Sequence, residues 1–195
     1  MKILGIIGKK GSNFNDRVVT SLNVPLIRQK MTISDGFATE REALEFGNNS
    51  CGAACLKMVL EAFGIKNSMG VKRIQELAIE KKCYLEPVGW LHKGLAQMAR
   101  EYGLGARTIK FKRPEKMLAE LKDGKLIIAS VSCGFDQKKK GGHLIVIRGV
   151  TFEGGKLAKV LFNDPSGFGQ DHQEIDGKSF LNSWTGRAII IGRRV

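Results

Sequence analysis

Four cysteines and three histidines carry the nucleophilic and proton-transferring chemistry available to this chain. Cys51, Cys55, Cys83 and Cys133 show neither CxxC spacing nor the density of a disulfide scaffold, so in a reducing compartment they are expected as thiols. Cys51 differs from the rest by position. It follows Ser50 at the first turn of the clearest helical pattern in the chain, where the helix dipole and free N–H groups stabilise a thiolate. Gly52 beside it would let a substrate carbonyl approach the backbone. Cys55 falls on the apolar stripe of Met58 and Val59 and reads as structural. A thiol nucleophile needs a proton partner. His92 sits in a helical pattern on an exposed or half-buried face, and His172 lies in the polar stretch Gln170–Gln173. His143 follows Gly141-Gly142 and opens the apolar run Leu144–Val150, which leaves it the best-placed base. Cys51, Cys55 and His143 offer no fourth ligand, and a Cys-x₃-Cys pair on one helix is poor zinc geometry, so no metal and no cofactor is expected.

An imidazole base is normally oriented by a third group. The strands flanking Glu153-Gly154-Gly155 should form a hairpin. With its turn centred between Glu153 and Gly154, His143 lies opposite Asp164, and opposed residues have Cβ atoms about 4.5–5.5 Å apart. Asn163 is the alternative partner if the turn shifts by one residue. The stretch Asn163-Asp164-Pro165-Ser166-Gly167 also reads as a plain turn, and both readings are compatible. Nucleophile, base and orienting acid thus follow in the order Cys51, His143, Asp164, the parts needed for thiol-based acyl transfer.

The elements that must position these groups can be read from periodicity. Lys2–Ile7 reads as a strand, Gly8–Asn13 as a loop, and Phe14, Val18, Val19 and Leu22 fall at helical spacing. The loop does not satisfy GxxxxGK[ST]. Val24–Gln29 reads as an edge strand with Pro25 near its start. A long loop from Lys30 to Asn48 follows, with a helical piece around Glu40–Leu44. Ser50 is the expected N-cap of a helix ended by Gly64. Further helices follow through Val71–Ala78 and Leu91–Tyr102, and one with Pro114 in its first turn. The period then changes: Leu126–Val131, Leu144–Val150, Leu157–Phe162 and Ala188–Ile191 read as strands separated by Gly/Asp/Asn-rich turns. Helices first and a mostly antiparallel sheet after make an α+β domain.

Composition narrows the field. A chain of 195 residues with 43% apolar content can bury a real core and is not disordered. No apolar run approaches the roughly 20 residues of a membrane span. Ile3–Ile7 is too short for a signal-peptide core of about 7–15 residues, so a cytoplasmic location is expected. The net charge of +13 suits an acidic partner, but the basic residues are scattered and carry no interleaved aromatics, so no nucleic-acid role is expected. The basic loop Lys138-Lys139-Lys140-Gly141-Gly142 adjoins His143 and could draw in an acidic peptide.

These same residues resemble the papain-fold cysteine peptidases of the bacteriocin-processing type, the double-glycine leader peptidases and their stand-alone relatives. The matching pieces are Val24–Gln29, Asn49–Cys55 leading into Met58–Leu60, Gly142–Ile147 and Asn163–Gly167, with the closing segment Phe180–Gly186. The resemblance implies a papain-like cysteine peptidase domain over residues 22–195, preceded by residues 1–21 as an extension or extra strand. It implies Cys51 as nucleophile, His143 as base, Asp164 as orienting acid and a peptide or protein substrate. It also implies an upstream glutamine as oxyanion donor, for which Gln29 fits, acting with the Cys51 N–H; Asn48 and Asn49 are the alternates. Residues 30–50 must then loop out, because the position six before Cys51 is Glu45, and an ionised carboxylate cannot donate a hydrogen bond. Ala53 stands where the family commonly has proline. Two other functions use the same parts: a peptide-binding module that does not cleave, and acyl transfer or deamidation to a different acceptor.

Overall fold

The computed structural model describes residues 18–65 and 69–194. Strand β1 (Val18–Ser21) is followed by α1 (Glu40–Asn48), α2 (Cys51–Ala62) and α3 (Val71–Glu80). A small hairpin of β2 (Tyr84–Leu85) and β3 (Gly89–Trp90) leads into α4 (His92–Glu101). The second half holds β4 (Leu104–Lys110), α5 (Glu115–Lys122), β5 (Leu126–Val131), β6 (His143–Glu153), β7 (Lys156–Asn163), β8 (Glu174–Asp176), α6 (Gly177–Ser183) and β9 (Arg187–Arg193).

Seven strands form one antiparallel sheet in the order β4-β9-β5-β6-β7-β8, with β1 on β6. Beta-branched and aliphatic runs build its centre, as their fit to a pleated, buried surface dictates. Leu126–Ala129, Leu144–Ile147 and Ala188–Ile191 are buried residue after residue, so both faces are covered there. Helix α2 packs on β6, α4 on β4 and β9, and α5 on β5 and β6. The first three turns of α2 are buried nearly all round, the mark of a central helix.

Several expectations need correction. Val18–Ser21, read at helical spacing, is a strand: its Val-Val-Thr run pairs with β6 from Gly149 to Phe152, continuing along that edge where β5 leaves it. The strand Lys2–Ile7, the loop Gly8–Asn13 and Phe14 lie outside the described residues. Val24–Gln29 is not a strand. Pro25 has no N–H to give a ladder, and the Asn163 amide takes the carbonyls of Val24 (2.9 Å) and Pro25 (3.1 Å) instead. Ser50 is not a side-chain N-cap. Its hydroxyl donates back to the Phe46 carbonyl at 2.8 Å while Asn49 Nδ2 donates to the Glu45 carbonyl, and together they end α1 and turn the chain into α2. Pro114 stands one residue before α5 rather than in its first turn. Strands β2, β3, β4 and β8 and helix α6 were not expected.

The hairpin carrying His143 and Asp164 turns on Gly154-Gly155, both at positive φ as a two-residue hairpin loop requires. Its register pairs Glu153 with Lys156 and, past two bulges, Val146 with Asn163. Asp164 is therefore not opposite His143; it lies just beyond the end of the ladder. The offset is an even number of residues, so both side chains still share a face.

Candidate active site

Cys51 is the first residue of α2 and is buried to 6% exposure, so its N–H is one of those with no acceptor inside the helix. His143 opens β6. Cys51 and His143 line the same cleft, and Cys51 acts on the His143 ring. The ring nitrogen Nε2 lies 2.7 Å from Asp164 Oδ1, which leaves Nδ1 for the sulfur. Asp164 is fully buried. Its Oδ1 also accepts from the Ser166 N–H at 2.7 Å, and its Oδ2 has no partner among the described residues. Helix and strand are tied together one turn along, where the Cys55 thiol donates to the Leu144 carbonyl at 3.3 Å.

Electrostatics follow from that packing. Burial pushes the His143 imidazolium down, but the hydrogen bonds to Asp164 and Cys51 and their negative charges outweigh it, raising the imidazole to about 10. Burial alone would raise the Asp164 carboxyl; the His143 bond and charge and the Ser166 N–H hold it below the usual carboxylate range. The pair is thus poised as carboxylate and imidazolium. Burial drives the Cys55 thiol well above the ordinary range, with Cys51 and Asp164 adding to the effect, as suits an inert structural cysteine.

The remaining sequence candidates fall as follows. Gln29 is largely buried: its N–H donates to the Pro165 carbonyl at 2.9 Å and its Nε2 to the Asn48 carbonyl at 3.2 Å. Residues 30–47 do loop out between these points. Asn48 and Asn49 line the cleft; Gln29 does not. His92 starts α4 and also lines the cleft, its imidazole lowered by burial and by Arg187 nearby. His172 is exposed and stacks on Phe168 with ring centroids 4.1 Å apart. Of the loop lysines 138–140, only Lys140 lines the cleft.

The cleft itself has a volume of about 920 Å³ and opens over Cys51 and His143. Tyr84, Val88 and Trp90 of the small hairpin form one wall; Ser130, Lys140–Gly142 and Thr185 form another. Sequence reading missed Trp90. Its indole lies over Gly52 so closely that a Cβ there would sit 2.3 Å from the ring, and its Nε1 donates to the Asn49 carbonyl at 3.0 Å. The space at Gly52 thus belongs to tryptophan rather than to a substrate carbonyl. A glycine in the buried turn after the cysteine was the available signal, but nothing local names the ring that fills it.

A helix-borne cysteine facing a strand-borne histidine where helices meet an antiparallel sheet is the arrangement of the papain-like fold. Among solved structures, a chain described as a C39-like peptidase from Bacillus anthracis matches with a TM-score of 0.58 at 18% identity, over 88% of this chain and 96% of that one. A double glycine motif protease from an AMS/PCAT transporter, in complex with the leader peptide, matches with 0.54 at 23% identity, over 89% and 94%. The peptidase domain of Streptococcus ComA, a bi-functional ABC transporter of a quorum sensing pathway, matches with 0.51 at 18%, over 75% and 93%. No curated protein sequence matches. The model of the Peptidase_C39 like family matches residues 21–188, and the chain belongs to that family. No described helix is long and apolar enough to cross a membrane.

Proposed function

We propose that the protein is a cysteine peptidase that hydrolyses a peptide or amide bond through Cys51, His143 and Asp164. The observation that carries this reading is Cys51 and His143 together in the lining of one open cleft, with a buried carboxylate 2.7 Å from the ring. With His143 charged at rest, its Nδ1 already carries the proton given up by Cys51, and the sulfur attacks the scissile carbonyl from this ion pair. The tetrahedral oxyanion is held by the Cys51 N–H and by the Gln29 amide, whose second N–H is not used by Asn48. The imidazolium protonates the leaving amine, giving a thioester. Water, deprotonated by the same ring, then releases the acid and restores the pair of Cys51 sulfur and charged imidazole. Asp164 keeps the ring in the orientation that presents Nδ1 to sulfur and stabilises the imidazolium. The relative bound to a leader peptide supports a peptide or protein segment as substrate, and the charge of +13 favours one of acidic character.

One feature favours a peptide-binding module with little activity: Gln29 Nε2 is turned to the Asn48 carbonyl, and Gln29 is absent from the cleft lining. Native iodoacetamide labelling over pH 4–9 with peptide mapping separates the two. A peptidase requires that Cys51 outpace the other cysteines below pH 7 and lose that lead in His143→Ala. Slow, His143-independent labelling of Cys51 supports the binding module.

A further inference from the structure

The walls of the cleft are charged with one sign. Lys93 from the start of α4, Lys110 from the end of β4, Lys140 from the loop before β6 and Arg187 from the start of β9 all line it, and no Asp or Glu does among the described residues. Four separate elements converge to bring these cations together. Several cations outside the cleft are paired locally: Arg73 with Glu76 and Glu80, Lys81 with Glu101, Lys125 with Glu120 and Asp123, and Lys159 with Glu174. The four cleft cations have no such ion pair among the described residues.

Two of them are placed against the grain of the fold. Lys110 and Arg187 are direct partners in the β4–β9 ladder, so their side chains leave the same face about 4.5–5.5 Å apart at Cβ. Like charges directly opposite each other destabilise a sheet. Arg187 also acts on His92 in the same lining, adding to the burial that lowers its imidazole. A repulsive pair kept at the mouth of a catalytic cleft, and relieved by no carboxylate of the protein, is complementary to a carboxylate supplied from outside.

We infer that Lys110 and Arg187, flanked by Lys93 and Lys140, form a carboxylate-binding subsite that selects peptide substrates carrying Asp or Glu near the scissile bond. The inference rests on the peptidase reading above and adds to it two specificity-determining residues. The incoming carboxylate lies between the Lys110 ammonium and the Arg187 guanidinium, and Arg supplies the fork geometry for a two-point contact.

The test has a cleavage arm and a binding arm. A proteome-derived peptide mixture is digested with the protein and with Cys51→Ala, and the cut sites are mapped by mass spectrometry. Cys51-dependent cuts enriched in Asp or Glu at a fixed position support the inference. Cuts with no acidic enrichment overturn it and leave the peptidase intact. For a cleaved peptide, replacing that Glu by Gln should lower kcat/KM about tenfold at low ionic strength, with the difference shrinking at high salt. The Arg187→Glu variant should erase the preference while its Tm rises, because the introduced carboxylate would pair with Lys110 and end the repulsion. A preference unchanged in this variant overturns the assignment. In the binding arm, a fluorescein-labelled Glu-rich peptide and its Gln counterpart are titrated onto Cys51→Ala. Selective binding of the Glu peptide, lost in Cys51→Ala/Arg187→Glu, supports the subsite even where no cleavage occurs and the peptidase reading has failed. Equal binding of both peptides, or tighter Arg187-dependent binding of poly-U RNA, overturns it.

Discussion

Replacing Asp164 by Asn is the sharpest perturbation of the proposed mechanism, because it changes charge while leaving shape. Asparagine Oδ1 can still accept from His143 Nε2, so the ring keeps its orientation. What is lost is a full negative charge 2.7 Å from the ring. At a centre-to-centre distance of about 4 Å and an effective dielectric near 20, that attraction is worth about 4 kcal/mol, or about three pH units at 1.36 kcal/mol each. Cys51 also raises His143, and burial lowers it. Both are common to the two proteins, so the imidazolium should persist to about pH 10 in the parent protein and disappear about three pH units earlier in Asp164→Asn. A charged alkylating agent reads this without a known substrate. Iodoacetate is drawn to an imidazolium and iodoacetamide is not, so the ratio of their rates at Cys51, resolved by peptide mapping, falls as His143 loses its proton. The lysines of the cleft also attract iodoacetate, but they are common to both proteins and cancel in the comparison. The measured values belong to the coupled thiol and imidazole together. A ratio that falls at the same pH in both proteins would refute the carboxylate's role in holding the ring charged.

Three further outcomes are expected. Native labelling at pH 8 should modify Cys51 and the exposed Cys133 while sparing the fully buried Cys55, and rapid labelling of Cys55 by peptide mapping would contradict the packing of α2 on β6. Gly52→Ala should lose about 1–3 kcal/mol of unfolding free energy by urea denaturation, because its Cβ would meet the Trp90 ring at 2.3 Å; an unchanged midpoint counts against that contact. Gln29→Glu, which removes the donor, should lower kcat on a cleaved peptide by about 10²–10³ with little change in KM, and a parental kcat would move the oxyanion role to Asn48 or Asn49.

Helices and central strands were legible because burial imposes their period: the apolar runs of β5 and β6 and the stripe of α2 have one interpretation. The edges were less legible. Strand β4 reads Leu-Gly-Ala-Arg-Thr-Ile-Lys and is half exposed, so it carries neither a continuous run nor a clean alternation, and only pairing with β9 makes it a strand. Val18, Val19 and Leu22 fit a helix by spacing, and the long-range ladder to β6 decided otherwise. Placing the hairpin turn on Gly154-Gly155, whose two glycines supply the positive φ values, would have given the observed offset between His143 and Asp164. Cys51, His143 and Asp164 were singled out by residue type and order along the chain. Trp90, Lys110 and Arg187 were not, because their meaning arises only where distant strands and helices meet.

The detour between Gln29 and Asn48 leaves and returns at one place, since the side chain of the first residue holds the carbonyl of the last. A loop whose feet are pinned together is a removable module. Its length is nearly free of thermodynamic consequence, a doubling costing only about 0.6 kcal/mol in closure entropy. The interval between the glutamine and the cysteine is therefore elastic as text though fixed in space. Shortening the detour ahead of Glu45, with the last turn of α1 and both feet kept, would yield a smaller version of the same frame. Conversely, the tip of that loop is a port where a new recognition element can be spliced without disturbing the thiol.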